Sequence, residues 1–249
     1  MLQEKKIVSK PFNFKQFKIE QDRCAMKVGL DGVLLGAWAD VSEAKTILDI
    51  GSGTGVIAIM MAQRTANTEN NAQVHAVEID DAAFLQSKEN MESCPFSERL
   101  HVYHESIQEF AKSHDSTYDL IVSNPPFFTG GTFSSNQDKA NVRHTVKLPH
   151  SDLLNATRQL LNKNGRFCVI LPLIEGLRFM EVALTYGFYC TKRMEVHTLL
   201  NKPIERLLLQ FECENKPMLN EEIVVHNSDT RNDYTNDYKD LTKDFLTIF

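Results

Sequence analysis

The run Ile47-Leu48-Asp49-Ile50-Gly51-Ser52-Gly53-Thr54-Gly55 constrains this chain most, because an apolar stretch passes through an acid into three glycines spaced by one residue. Such a run reads as a buried strand, and Val56 to Arg64 after it as a helix. Glycines there let the backbone turn tightly and approach a ligand with no side chain in the way. The spacing Gly-x-Gly-x-Gly lacks the extra residue that seats a pyrophosphate at a helix N-terminus in the dinucleotide fingerprint. No Gly-Lys-Ser/Thr is present either, which disfavours a phosphate-cradling loop. The tight form suits the zwitterionic, phosphate-free methionine moiety of S-adenosylmethionine (SAM). Asp49, Gly51, Gly53 and Gly55 are therefore candidate cofactor residues. Glu78 ends the next strand, 23 residues after Gly55, where a carboxylate can accept hydrogen bonds from both hydroxyls of a ribose. Its neighbour Ile79 joins the candidates. Ser106 and Ile107 follow the third strand and border the place of an adenine ring, although Ser106 is equally suited to capping the short helix after it. The bland alternative, a sharp strand–helix turn with no ligand, does not account for the paired acid.

Strands and helices alternate along the chain. Strands are expected at Ile47–Ile50, Val74–Glu78, Leu100–His104, Tyr118–Ser123, Arg166–Leu171, Phe188–Leu199 and Ile204–Phe211. Helices are expected at Val56–Arg64, Asp81–Glu92, Ile107–Lys112, Ser151–Leu161 and Glu175–Thr185, with a long Asn-, Gly- and Ser-rich loop from Asn124 to about His150. This alternation predicts an α/β fold, a mostly parallel seven-stranded sheet with helices on both faces. Only Asn201-Lys202-Pro203 separates the last two runs, so a hairpin ending the sheet with one antiparallel strand is expected. The polar, acidic stretch Asn227–Asp240 is expected to be mobile. The organisation is one structural domain, with residues 1–45 as an N-terminal extension packed on a core of residues 46–249.

Ser123-Asn124-Pro125-Pro126-Phe127-Phe128 comes directly after the fourth strand, at the carboxyl edge where doubly wound sheets bind ligands. Adjacent prolines remove two N–H donors and stiffen the backbone, leaving carbonyls fixed in place. Asn124 adds a side-chain carbonyl. Two acceptors match the two hydrogens of an amino group, and Phe127 offers a flat face for a planar ring or amide. Asn124, Pro125, Pro126 and Phe127 are the catalytic candidates, for methylation of a planar amino nitrogen. No general base is evident in the motif, and no metal is required.

Together Asp49-Ile-Gly-Ser-Gly-Thr-Gly55, Glu78 and Asn124-Pro-Pro-Phe127 resemble a class I Rossmann-like methyltransferase of the amino-methylating kind. That motif is shared by adenine N6, guanine N2 and glutamine N5 enzymes. The segment Phe14-Lys-Gln-Phe17, continued by Gln21-Asp-Arg-Cys-Ala-Met-Lys27-Val-Gly-Leu-Asp31-Gly-Val-Leu-Leu-Gly-Ala-Trp38, is similar to the bacterial tRNA1(Val) adenine-37 N6-methyltransferase family, and the likeness runs from Phe12 to the C-terminal Lys-Asp-Phe-Leu. The resemblance implies SAM as cofactor, the N6 of an anticodon-loop adenine in tRNA as acceptor, and a Lys27–Asp31 region packed over the cofactor cleft. Leu30 departs from the usual Thr of that family, and Ser106 stands where related enzymes often have Asp. Alternatives are a guanine N2 methyltransferase acting on rRNA, a protein glutamine N5-methyltransferase, and a non-catalytic RNA-binding methyltransferase fold. About 45 residues precede the cofactor loop, too few for the helical substrate domain of a glutamine enzyme.

The net charge of −6 does not itself suggest RNA. Charge is uneven, however: residues 1–31 carry seven Lys or Arg against four acids, and Glu212 to Phe249 four against nine. Lys15, Lys18 and Arg23 are candidate RNA contacts or a solvated face, and Arg143-His144 a second candidate. Trp38 reads as core. The five cysteines are scattered without a C-x-x-C pair, which fits free core thiols. Neither an N-terminal apolar h-region nor a run long enough to span a membrane is present, so a cytoplasmic protein without membrane partner is expected; a monomer is expected as a separate matter.

Overall fold

The computed structural model describes residues 10–66, 68–126, 148–230 and 232–249. Its central sheet comprises β3 (Thr46–Ile50), β4 (Gln73–Glu78), β5 (Leu100–His104), β6 (Tyr118–Ser123), β7 (Leu161–Pro172), β8 (Tyr189–Leu199), β9 (Arg206–Glu212) and β10 (Leu219–His226), in the order β10-β8-β9-β7-β6-β3-β4-β5. Every expected strand is there. Among the described strands of this sheet only β9 is antiparallel, inserted between β7 and β8. It does not end the sheet as expected: β8 returns to the common direction and β10 pairs parallel to it at the edge, making an eighth strand. β10 escaped notice because Leu219-Asn-Glu-Glu carries little apolar signal, and only Ile223 and Val225 of this strand are buried.

Two layers of helices bury the sheet. One face is covered by α1 (Leu30–Trp38), α2 (Val56–Thr65), α3 (Asp81–Ser93) and α7 (Asn236–Thr242). The other carries α4 (Ile107–Ser113), α5 (His150–Leu160) and α6 (Leu173–Thr185). α2 is apolar almost all round because it lies between the sheet and α1, and Gly36 of α1 admits Met60, whose sulfur would sit 2.6 Å from a Cβ there. Fully buried rings such as Phe167, Phe179 and Phe211 knit the opposite face, each contributing about 1.5–3 kcal/mol by burial. Trp38 is core as expected, 6% exposed, with Nε1 donating to Glu221 Oε2 at 3.2 Å.

The stretch expected to be mobile instead holds α7. Thr235 caps that helix by accepting from Tyr238 N, and Tyr238, Phe245 and Leu246 bury the chain end against α1 and a small hairpin of β1 (Phe12–Asn13) and β2 (Lys18–Ile19). The acid count outweighed these aromatic anchors in the sequence reading. β7 also begins earlier than expected: Leu161 pairs with Tyr118, the register then jumps so that Arg166 meets Leu120, and residues 162–165 bulge between them.

After β3 the chain proceeds to β4 and β5 on one side, while β6 lies on the other. The direction of winding therefore reverses between β3 and β6. A crevice opens at the carboxyl ends of strands at such a switch point.

Candidate active site

Asp49 lies one residue before the end of β3 and is fully buried. Its Oδ2 accepts from Ala58 N at 3.2 Å, satisfying an otherwise orphaned donor in the first turn of α2, whereas Oδ1 has no hydrogen-bond partner among the described residues. Burial pushes this carboxyl up to about 7, and the nearby Glu78 adds to the effect against the Ala58 bond. Gly51, Gly53 and Gly55 all have positive φ, at 74°, 55° and 80°. They differ in surroundings. A Cβ on Gly51 or Gly53 would meet nothing within 4 Å, but one on Gly55 would lie 2.8 Å from Ser87 Oγ. The first two therefore border open space and the third a packed helix.

Glu78, 8% exposed at the end of β4, folds back over this loop. Its Oε2 accepts from Gly53 N at 2.8 Å, while Oε1 accepts from Ile79 N at 2.9 Å and Asp80 N at 3.0 Å. Ile79 beside it is 43% exposed. Ser106 caps α4, accepting from Glu109 N at 3.2 Å, and Ile107 is buried in the core.

Across the switch point, Ser123 Oγ donates to Ile50 O at 2.9 Å, which ties the end of β6 to the end of β3. Asn124 follows directly, so it sits next to the glycine-rich loop. Its Oδ1 is buried and, like Asp49 Oδ1, has no hydrogen-bond partner among the described residues. Pro125 is buried and Pro126 exposed. Phe127, Arg143 and His144 lie outside the described residues.

The N-terminal candidates are already engaged. Lys27 Nζ donates to Gln21 O and to Cys24 O, the latter at 3.0 Å. Asp31 accepts from Arg206 Nε through both oxygens, at 3.1 and 2.9 Å. Arg23 pairs with Glu89, Lys18 with Glu20, and Lys15 donates to Lys243 O. Sequence reasoning missed Ser123 as the tie between strands, Arg206 as the partner of Asp31, and the buried Gln86, Ser87 and Asn90 of α3. For the last three no local signal stands out, because Lys88, Glu89 and Glu92 make the same stretch of α3 polar on its exposed side as well.

The pattern of the methyltransferase small domain family matches residues 32–173. A tRNA1(Val) (adenine(37)-N6)-methyltransferase of Proteus mirabilis is 41% identical over 242 residues, covering 96% of this chain and 94% of its own. The chain belongs to the tRNA1(Val) (adenine(37)-N6)-methyltransferase family. Another member, from Pasteurella multocida, is 41% identical over 238 residues, covering 96% of this chain and 97% of its own. The chain's α/β fold is shared with solved methyltransferases. An Agrobacterium tumefaciens protein described as a predicted O-methyltransferase superposes with a TM-score of 0.66 at 16% identity, covering 86% of this chain and 96% of that one. A T. thermophilus 16S rRNA N2 methyltransferase in complex with AdoMet and guanosine gives 0.55 at 21%, covering 82% and 50%. For this family member, the α/β class and the mostly parallel sheet expected from sequence are confirmed. All five cysteines are free, and no helix among the described residues is long and apolar enough to cross a membrane.

Proposed function

We propose that this chain methylates the N6 of adenine 37 in tRNA1(Val), with SAM as methyl donor. The observation that carries the reading is the pairing, in a member of this family, of two buried and unpartnered acceptors, Asp49 Oδ1 and Asn124 Oδ1, on either side of the switch point. The site fits SAM. Open space over Gly51 and Gly53 accommodates the methionine moiety, Asp49 Oδ1 can accept from its ammonium, and the Glu78 carboxylate can accept from ribose hydroxyls. Ile79 offers an apolar edge for the adenine ring. Ser106 and Ile107 border that region through the α4 N-terminus, and Lys27 and Asp31 act by shaping the N-terminal segment over it. SAM supplies an electrophilic methyl group on a sulfonium.

The protein's part is positioning. Asn124 Oδ1 and the Pro125 carbonyl accept the two N–H bonds of the adenine amino group. This draws the nitrogen lone pair out of conjugation and aims it at the methyl. Pro126 stiffens the turn, and Phe127 is assigned the stacking face on sequence grounds. Holding the reacting atoms at ~3–3.5 Å can lower the barrier by roughly 7–11 kcal/mol. The proton in excess on nitrogen leaves to solvent, so no general base is needed. A loop adenine is already unpaired, which keeps the cost of extruding it low.

Residues 1–45 serve in this reading as an extension of the single catalytic domain of residues 46–249, and the working form is a cytoplasmic monomer. The test is incubation with labelled SAM and, separately, unmodified tRNA, rRNA and release factors, followed by digestion and mass spectrometry. N6-methyladenosine from tRNA is expected. N2-methylguanosine from rRNA, or label in protein alone, would contradict the assignment.

A further inference from the structure

α3 turns three polar side chains into the protein: Gln86 and Ser87 are fully buried and Asn90 is 1% exposed. Buried amides are costly unless bonded, so their partners matter. Asn90 Nδ2 donates to Glu20 O and to Thr54 O, both at 2.8 Å, and Oδ1 accepts from Glu20 N at 2.9 Å. The side chain thus pairs with Glu20 much as a neighbouring strand would. At the same time it grips the glycine-rich loop one residue before Gly55. One turn earlier, Gln86 Oε1 accepts from Arg23 N at 3.1 Å. Ser87 Oγ lies 3.2 Å from Ser52 Oγ in the same loop.

The chain from Glu20 to Val28 forms a strap that closes on itself. Gln21 Oε1 accepts from Val28 N at 2.9 Å, and Lys27 Nζ donates to the carbonyls of Gln21 and Cys24. Cys24 lies in the middle of this strap, and burial, then the charge of Glu78, raise its thiol to about 12. Among the described residues, the Asn90 amide bonds both to the strap and to the loop.

We propose that Asn90, assisted by Gln86, is a positioning residue that couples the strap Glu20–Val28 to the cofactor loop, so that SAM binding and strap ordering reinforce each other. The inference rests on SAM lying over Gly51 and Gly53. A ligand that immobilises the loop fixes Thr54 O, hence the Asn90 amide, hence Glu20. Coupling of binding equilibria is reciprocal, so an ordered strap raises SAM affinity by the same factor. An amide that merely staples the N-terminal segment to α3 would behave differently: its loss would loosen the strap to the same degree with and without SAM.

The experiment is hydrogen exchange on the full chain, with and without saturating SAM, for the wild type, Asn90→Leu and Gln86→Leu, with calorimetry of SAM binding and steady-state kinetics in parallel. In the wild type, SAM is expected to slow exchange across residues 20–28. Asn90→Leu is expected to bind SAM about tenfold more weakly, with KM for SAM raised and kcat nearly unchanged. Its strap loses the SAM-dependent slowing while residues 49–58 keep theirs. Gln86→Leu spares the Thr54–Asn90–Glu20 path and decides the matter if Asn90→Leu does not fold: slowing is expected to weaken at Arg23, whose N–H loses its acceptor, and to persist at Glu20. SAM-dependent slowing that survives intact in a folded Asn90→Leu variant, or that vanishes at Glu20 in Gln86→Leu, overturns the inference. So does a wild-type strap that ignores SAM although calorimetry shows binding. Absence of SAM binding to the wild type overturns the cofactor site and the inference with it.

Discussion

Replacing Glu78 by Gln isolates what its charge does. The carboxylate accepts from three backbone donors, one oxygen serving Gly53 and the other Ile79 and Asp80. An amide has a single acceptor oxygen. If that oxygen keeps Ile79 and Asp80, the NH₂ group meets Gly53 N–H donor to donor. One charge-assisted hydrogen bond is lost, worth about 1.5–3 kcal/mol. Solvent offers little compensation, since Glu78 is 8% exposed. For a chain of this length, each kcal/mol corresponds to ~2–4 °C in the unfolding midpoint, so a fall of about 3–12 °C without ligand is expected. The same change removes a ribose acceptor and frees Gly53, which should weaken SAM binding roughly 10- to 100-fold. Scanning calorimetry without SAM and titration calorimetry with it read the two effects separately. A folded Glu78→Gln protein with unchanged midpoint and unchanged SAM affinity would refute both the loop tie and the ribose role.

Two glycine variants should part company. Gly51→Ala meets open space and bears only the left-handed backbone cost of about 1–2 kcal/mol, but its methyl intrudes where SAM lies, so binding by calorimetry should suffer more than stability. Gly55→Ala adds a clash with Ser87 Oγ to a comparable backbone cost, so its thermal midpoint should fall further than that of Gly51→Ala. Asn124→Ala should bind SAM within about twofold of the wild type while turnover falls roughly 100-fold or more, because only the acceptor nitrogen loses its hold; near-normal single-turnover rates would reject this. Asp49 gives a pH signature. Burial raises its carboxyl to about 7, so the folded state binds a proton that the unfolded state has released. That contribution is full below the unfolded value near 4 and is lost as pH rises through about 7. Ligand-free Asp49→Asn should therefore lose less stability than the wild type between about pH 5 and pH 7 in denaturant titrations; parallel curves would show that Asp49 does not titrate there.

What the sequence revealed and what it hid follow a physical pattern. Buried parallel strands such as Ile47–Ile50 and Tyr118–Ser123 announce themselves because both faces must be apolar. The glycine-rich loop is legible because its backbone angles exclude other residues. Asn124 is legible because its environment, a proline pair after a strand, is local. β10 was missed and α7 misread because an edge strand and a terminal helix bury only one side, so polar residues dominate their composition. The Asp31–Arg206 pair and the Asn90 bridge span 175 and 70 residues, and nothing local encodes a partner at that distance. Ser106 could be read two ways from sequence, and the structure shows the capping bond.

The central claim is tested most directly with folded tRNA1(Val) transcripts that differ only at position 37. Labelled SAM, enzyme and the adenine-37 transcript should give stoichiometric incorporation, recovered as N6-methyladenosine in the anticodon-loop fragment. The same transcript with guanine at that position should take up no label above background. Equal incorporation into both transcripts would contradict the account.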